Sequence, residues 1–348
     1  MTSNRRILPI LALSAASALA LAGCSGTSAP SGSGGGDDGR LQVVASTDVY
    51  GQIAGEIGGD AIDVTSIITS ASQDPHSFEA TAQDQLAVSR ADLIIENGGG
   101  YDAFMDALIE ATETDAPVVT AVEFSHDWPE NAGHADEDGD DHAHDHAEDE
   151  TPGTDASGGD GHSEDDHAGH DHVEGFNEHV WYDPHTIEHV AEAIADELSA
   201  LAPADADVFE ANATAFIEQI GGLETSLAGI EASDAGAGVF VTEPVPVYLT
   251  TAAGLVNETP EAFSEAVEEG QDVPPATLLE ALGLIESGSV RVVIANSQTG
   301  GAETTQVIDA AKSRDIPVLE FSETLPEGQT YVSWMQQNIE ELAGALAP

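Results

Sequence analysis

Short runs of β-branched and aliphatic residues alternate along the chain with longer stretches whose apolar positions recur every three or four residues. LQVVAS (41–46) reads as a strand, and DVYGQIAGEIGG reads as a helix that closes on glycine. AIDVTSIIT (61–69), DLIIEN (92–97) and APVVTAV (116–122) read as further strands, with helical patterns in TAQDQLAVSRA and YDAFMDALIEAT between them. After residue 174 the alternation resumes. HVWYDPHTIEHVAEAIADELSAL starts a helix near Pro184, and residues 205–232 form one long helical stretch with Phe209, Phe216, Ile220 and Leu227 on a single face. GVFVT (238–242), RVVIAN (291–296) and IPVLEF (316–321) then read as strands. Helices are expected in YLTTAAGL, TLLEALGLIESG, ETTQVIDAAKSR and TYVSWMQQNIEELAGAL. Strand–helix alternation of this kind specifies parallel sheets. The expected fold is α/β, with two parallel-sheet lobes (41–200 and 233–348) joined by a long rigid linking helix at 201–232.

Residues 126–174 break the pattern. They hold nine of the thirteen histidines, among many Asp, Glu and Gly and almost no large apolar residue. Such a segment cannot bury enough surface to offset its ordering entropy, so it is expected to be a disordered acidic-histidine loop.

Charge narrows the functional classes. With 65 acidic and 7 basic side chains the formal charge is −58. No basic face can be assembled for nucleic acid, and anionic membrane surfaces are excluded as docking partners for the same reason. An acidic surface is solvated in high salt and also concentrates cations. The lone cysteine, Cys24, rules out an internal disulfide. It follows Arg5, Arg6, an apolar run and the small residues LAG, a pattern resembling a bacterial lipoprotein signal. Cleavage after residue 23 and lipidation of Cys24 would tether the chain outside the cytoplasm, and SGTSAPSGSGGGDDG would give the folded part reach through a flexible linker at 24–40.

In open parallel sheets the ligand crevice lies beyond the carboxyl ends of the strands. SASQDPHSFE, after the second strand, carries His76. EPVPVY, after GVFVT, carries Glu243, and SETLPEG, after IPVLEF, carries Glu323. His179, in NEHVWYDP, opens the chain after the loop. Two imidazoles and two carboxylates converging on one cleft would make a closed metal site.

At these residues the chain resembles the zinc/manganese substrate-binding lipoproteins of bacterial ABC importers. VVASTDVYGQIAGEIGGDAIDV is similar to the family's opening strand and helix. DPHSFEAT and EHVWYDP are similar to its first and second ligand motifs, and VTEPVPVYL and FSETLPEG stand in the places of the third and fourth. The resemblance implies two α/β lobes, one tightly held Zn²⁺ or Mn²⁺ between them, and the ligands His76, His179, Glu243 and Glu323. It also implies delivery to a membrane permease, with no catalysis. The third ligand is histidine in zinc members and glutamate in manganese members; the fourth is usually aspartate, so Glu320 stands as an alternative to Glu323. Hard oxygen donors suit Mn²⁺, whereas affinity for a given ligand set rises toward Zn²⁺. With the histidine-rich segment, zinc is favoured and manganese second. GGAETTQ lacks the G-K-[ST] of a P-loop, so the importer's ATPase is expected to be a separate chain, and the receptor itself a monomer.

The loop imidazoles His142, His144, His146, His162, His167, His170 and His172 are expected to bind metal weakly and severally, because a flexible ligand set must be ordered at each binding event. Two other readings stand beside the receptor. One is an extracellular metal buffer or adhesin without a transport role. The other is a zinc peptidase built on HTIEH, with His185 and His189 one helical turn apart and Glu188 activating a water.

Overall fold

The computed structural model describes residues 39–131, 173 and 175–347. In the first lobe, β1 (Leu41–Thr47) runs into α1 (Asp48–Gly58), and β2 (Ile62–Ile68) follows. Next come α2 (Ala82–Val88), β3 (Leu93–Glu96), α3 (Ala103–Thr112) and β4 (Val118–Thr120). The strands pair in parallel in the order β2-β1-β3-β4, with Val43 opposite both Val64 and Leu93, and Ile95 opposite Val119. Both faces of the sheet are covered. Val43, Ala45 and Ile95 face a large inner core, while Val44 and Ile94 face Phe104 and Met105 of α3. Strands buried on two sides read as continuous apolar runs, which is why these segments stand out in the sequence.

Two helices carry the chain across. Asp183 caps α4 (Pro184–Leu201), accepting from the His185 N–H at 3.2 Å and the Thr186 hydroxyl at 2.6 Å. Proline at the first helical position costs nothing there, because that N–H has no partner within the helix. α5 (Ala206–Asp234) is 29 residues long, or roughly 43 Å at 1.5 Å per residue. Its buried positions, Phe209, Ala213, Phe216, Ile220, Leu223, Leu227 and Ile230, alternate spacings of four and three, giving one continuous apolar stripe. That stripe packs on α4 and α1.

The second lobe repeats the plan. β5 (Gly238–Val241), α6 (Val247–Ala252), β6 (Val256–Asn257), α7 (Glu261–Glu268) and α8 (Pro275–Ser287) are followed by β7 (Val290–Asn296), α9 (Ala302–Lys312) and β8 (Val318–Phe321). The sheet is parallel in the order β6-β5-β7-β8. Phe240 and Val293 point into an outer core with Phe263 and Val307; Val239, Val241 and Ile294 point into the core shared with the first lobe. The closing helix, α10 (Tyr331–Leu346), is not confined to the second lobe. It packs on α5 and α1 as well as on β7 and β8, and the Tyr331 N–H donates to Gln52 Oε1 at 2.7 Å.

Two elements escaped the sequence reading: β6 and α7 lie in the stretch left unassigned between Leu255 and Thr277. Part of the segment expected to be a disordered loop, 126–131, is ordered, and the rest, apart from residue 173, lies outside the described residues. Residues 126–131 are attached to the first lobe: the Trp128 ring meets Phe176 edge-on at 5.0 Å, and the Asn131 amide donates to the Glu123 and Ser125 carbonyls. The lipidation site Cys24 and the loop histidines His142, His144, His146, His162, His167, His170 and His172 lie outside the described residues. Among the described residues no helix is long and apolar enough to cross a membrane.

Candidate metal centre

The loops beyond the carboxyl ends of both sheets face each other across a cleft. From the first lobe, the chain leaving β2 turns at a short 3-10 segment, Pro75–Ser77. Asp74 fixes that turn by accepting from the His76 N–H at 3.0 Å and the Ser77 hydroxyl at 2.7 Å. Beyond β3, Gly98, Gly99 and Gly100 all have positive φ. A side chain at Gly98 would also put its Cβ 2.5 Å from Thr120 Cγ2, so the NGGG turn needs glycine for both conformation and space. The turn delivers Tyr101, whose buried ring stands 5.0 Å from His76, 5.8 Å from His179 and 4.5 Å from Trp181. These aromatics wall the imidazoles off from water.

His179 is 1% exposed. Asn177 Oδ1 accepts from its backbone N–H at 3.2 Å and pairs with its Nδ1 at 2.7 Å. The Asn177 amide nitrogen donates to the Pro244 carbonyl of the other lobe at 3.2 Å, which settles the orientation of that side chain. Nδ1 therefore donates to Asn177 and Nε2 is the ring nitrogen turned to the cleft, the arrangement in which an outer hydrogen bond orients a metal-binding histidine.

The second lobe supplies carboxylates. Glu243 follows β5, Glu323 follows β8, and each is 3% exposed. Asn296, the last residue of β7, joins them: its amide donates to Glu243 Oε2 at 2.8 Å and to Glu323 Oε1 at 2.6 Å. The Thr299 hydroxyl donates to Glu243 Oε1, and the Tyr101 hydroxyl reaches Glu323 Oε2 at 3.3 Å. Each carboxylate oxygen has a second lone pair left for an ion. Burial pushes the Glu323 carboxyl up to about 7, against the Asn296 hydrogen bond, and burial raises Glu243 as well.

His76, His179 and Glu323 each place a ligand atom within 4.8 Å of the others. Glu243 is not in that group; it is held beside Glu323 through the shared Asn296 amide. Glu320 is exposed and stands in neither group of the cleft. Two further carboxylates enter the cleft that the sequence reading did not single out. Glu178 Oε1 lies 4.0 Å from His76 Nδ1, and Glu268 Oε1 lies 3.6 Å from His179 Nε2. Together with His76 they form a second group within 4.8 Å. Glu178 was legible only as the neighbour of His179 in NEHVWYDP; nothing in the strand-end rule points to Glu268. Every described lysine and arginine is exposed, so the buried carboxylates of the cleft face no fixed side-chain cation among those residues.

The HTIEH group lies elsewhere. His185 is exposed and His189 half-buried on α4, with rings 4.9 Å apart, and Glu224 of α5 approaches His185 Nδ1 at 4.0 Å. A water there would be open to solvent, without the enclosed pocket that hydrolytic chemistry uses.

Two parallel-sheet lobes, bridged by a long helix and closing strand-end loops on buried imidazoles and carboxylates, define the class of two-lobed α/β binding proteins. Within that class the chain belongs to the ZnuA family, described as zinc-uptake complex component A periplasmic, whose profile matches residues 43–345. The zinc-binding lipoprotein AdcA of Streptococcus pneumoniae is 25% identical over 311 residues, covering 88% of this chain and 56% of AdcA. The manganese-binding lipoprotein MntA of Halalkalibacterium halodurans is 26% identical over 208 residues, covering 60% of this chain and 54% of MntA. The chain thus spans about half the length of these curated relatives. The solved structure of the periplasmic zinc-binding protein TroA from Treponema pallidum superposes with a TM-score of 0.65 at 19% identity, covering 89% of this chain and 100% of TroA. That likeness establishes the fold.

Proposed function

We propose that the chain is an extracytoplasmic receptor for one divalent transition metal, zinc first and manganese second, which it delivers as a monomer to an ABC permease driven by a separate ATPase subunit. The carrying observation is the convergence of His76, His179 and Glu323, brought by loops of two lobes to within 4.8 Å of one another in a buried cleft. Glu243, tied to Glu323 through Asn296, is the fourth ligand. The family match supports this reading, as do relatives named for zinc and for manganese. Anchoring through a lipidated Cys24 rests on the LAGC motif and on relatives named as lipoproteins.

The chemistry is capture and release. Neutral His76 and His179 offer lone pairs, the carboxylates offer charge, and the lobes together surround the ion. Four protein ligands around a tetrahedral ion would leave no open position for a catalytic water, as expected of a carrier and not of a hydrolase. The proton held by Glu323 near neutral pH leaves when the ion enters, so binding releases protons and weakens on acidification. Competition calorimetry with Zn²⁺ and Mn²⁺ on the metal-free protein tests the reading. One tight site that disappears in both His76→Ala and His179→Ala is the expected result; tight binding that survives both substitutions refutes the assignment.

A further inference from the structure

The receptor reading leaves two cleft carboxylates, Glu178 and Glu268, unused. Glu268 is the last residue of α7, a helix anchored by Phe263 and Val267 in the outer core of the second lobe, with Phe263 edge-on to Phe240 at 5.2 Å. That anchoring aims the adjacent Glu268 side chain, 13% exposed, into the cleft. Its Oε1 is buried and accepts no hydrogen bond from the described residues. It faces His179 Nε2 at 3.6 Å, too far for a hydrogen bond. A ring nitrogen and a carboxylate oxygen, both able to ligate a metal, thus face each other at a separation that one bridging cation would span.

We propose that Glu268 is a further ligand to the captured metal, making the donor set oxygen-rich and favouring ions that accept more than four ligands. This rests on the receptor reading of the cleft. An ion about 2.1 Å from both His179 Nε2 and Glu268 Oε1 would subtend an angle of roughly 120° between them, an ordinary angle for ligands on one metal. His76 and Glu178 lie in the same group as Glu268, and His76 also belongs to the group with His179 and Glu323, so the two groups adjoin at His76. Adding carboxylate to two imidazoles shifts preference toward the harder Mn²⁺ relative to a four-ligand site.

The test compares the full-length protein with Glu268→Gln, which keeps size and polarity but removes the charge, and with Glu268→Asp, which keeps the charge on a shorter arm. Each is loaded with Co²⁺ for visible absorption and titrated with Mn²⁺ and Zn²⁺ in competition. The expected wild-type spectrum is the weak absorption of a five- or six-coordinate ion, and Glu268→Gln moves it toward the intense bands of a tetrahedral one. Mn²⁺ affinity is expected to fall about tenfold more than Zn²⁺ affinity in Glu268→Gln, with partial recovery in Glu268→Asp. Superimposable spectra and an unchanged Mn²⁺/Zn²⁺ ratio would make Glu268 a bystander and overturn the proposal. Failure of the wild type to bind any of the three ions tightly would instead overturn the receptor reading, and this ligand with it.

Discussion

The first and second lobes offer the cleft different chemistry. His76 and His179 come from the first and are locked by local polar partners: Asp74 fixes the turn beneath His76, and Asn177 fixes the ring of His179. An aromatic wall of Tyr101 and Trp181 surrounds them. These donors are neutral when they bind and need no compensating charge. The second lobe supplies Glu243 and Glu323, both buried, and the half-buried Glu268, all with carboxyl groups raised above their ordinary range by desolvation. Imidazoles fix where an ion sits; carboxylates set the charge it must bring. Glu178 is the exception, a carboxylate on the imidazole side.

Removing a donor from the first lobe should break this division most severely. His179→Ala is expected to weaken Zn²⁺ binding by more than about a hundredfold, beyond the usual cost of losing an outer-shell partner. The fold should survive, since the remaining aromatic wall still buries the site. Calorimetry with a thermal melt of the metal-free protein checks both halves of the expectation.

Asn296 probes the second lobe, where one amide serves two carboxylates. Asn296→Ala is expected to weaken metal binding by about ten- to a hundredfold, because Glu243 and Glu323 lose the group that holds them side by side. If affinity is unchanged, the carboxylates are positioned by Thr299, Tyr101 and the backbone alone. The same calorimetric competition reads the effect.

Proton linkage separates the lobes more gently. Glu323 and Glu268 have pKa values raised from 4.5 to about 7 and about 9. The stability they contribute is fully present below pH 4.5 and is lost as pH rises through 7 and then 9. The metal-free protein should therefore melt lower at pH 9 than at pH 5. Saturating Zn²⁺ should flatten that slope, because the ion replaces the protons. A metal-free protein that gains stability from pH 5 to pH 9 would contradict the assignment of raised carboxyls to the second lobe.

Much of this comparison was legible before the structure, for physical reasons that differ by element. Strands such as VVAS and RVVIAN are buried on both faces and read as apolar runs, and the seven-residue rhythm of α5 reads as one stripe. The strand-end rule led to His76, Glu243 and Glu323 because each directly follows a strand or its turn. β6 was invisible because two residues carry no period. α7 was missed because only Phe263, Ser264 and Val267 are buried in it, too few for a helical pattern to emerge. Pro260 before it and Gly270 after it were the available punctuation. Glu268 went with it: a carboxylate at the end of an unassigned helix looks like any other acid in a chain of 65 acidic residues. Asn296 looked like a turn residue, and its service to two carboxylates exists only once β7 lies between β5 and β8.

The smallest expected effect comes from the histidine-rich segment. His76, His179, Glu243, Glu268 and Glu323 all lie outside residues 132–172, and each is held by partners that also lie outside them: Asp74, Asn177, Asn296, Thr299 and the α7 anchor Phe263. Trp128 and Asn131 secure the chain just before the segment, so shortening it need not disturb the cleft. Deleting 132–172 and joining the ends with a glycine-serine linker is therefore expected to leave the tight site at its original affinity, while removing weaker equivalents of Zn²⁺ from the binding isotherm. The deletion also sharpens the contrast between lobes: if a weak background is stripped away, the selectivity for Zn²⁺ over Mn²⁺ that remains belongs to the imidazoles and carboxylates of the cleft alone. Loss of the tight site on deletion would mean that the two lobes do not hold the ion by themselves, and the division of chemistry between them would have to include a third contributor.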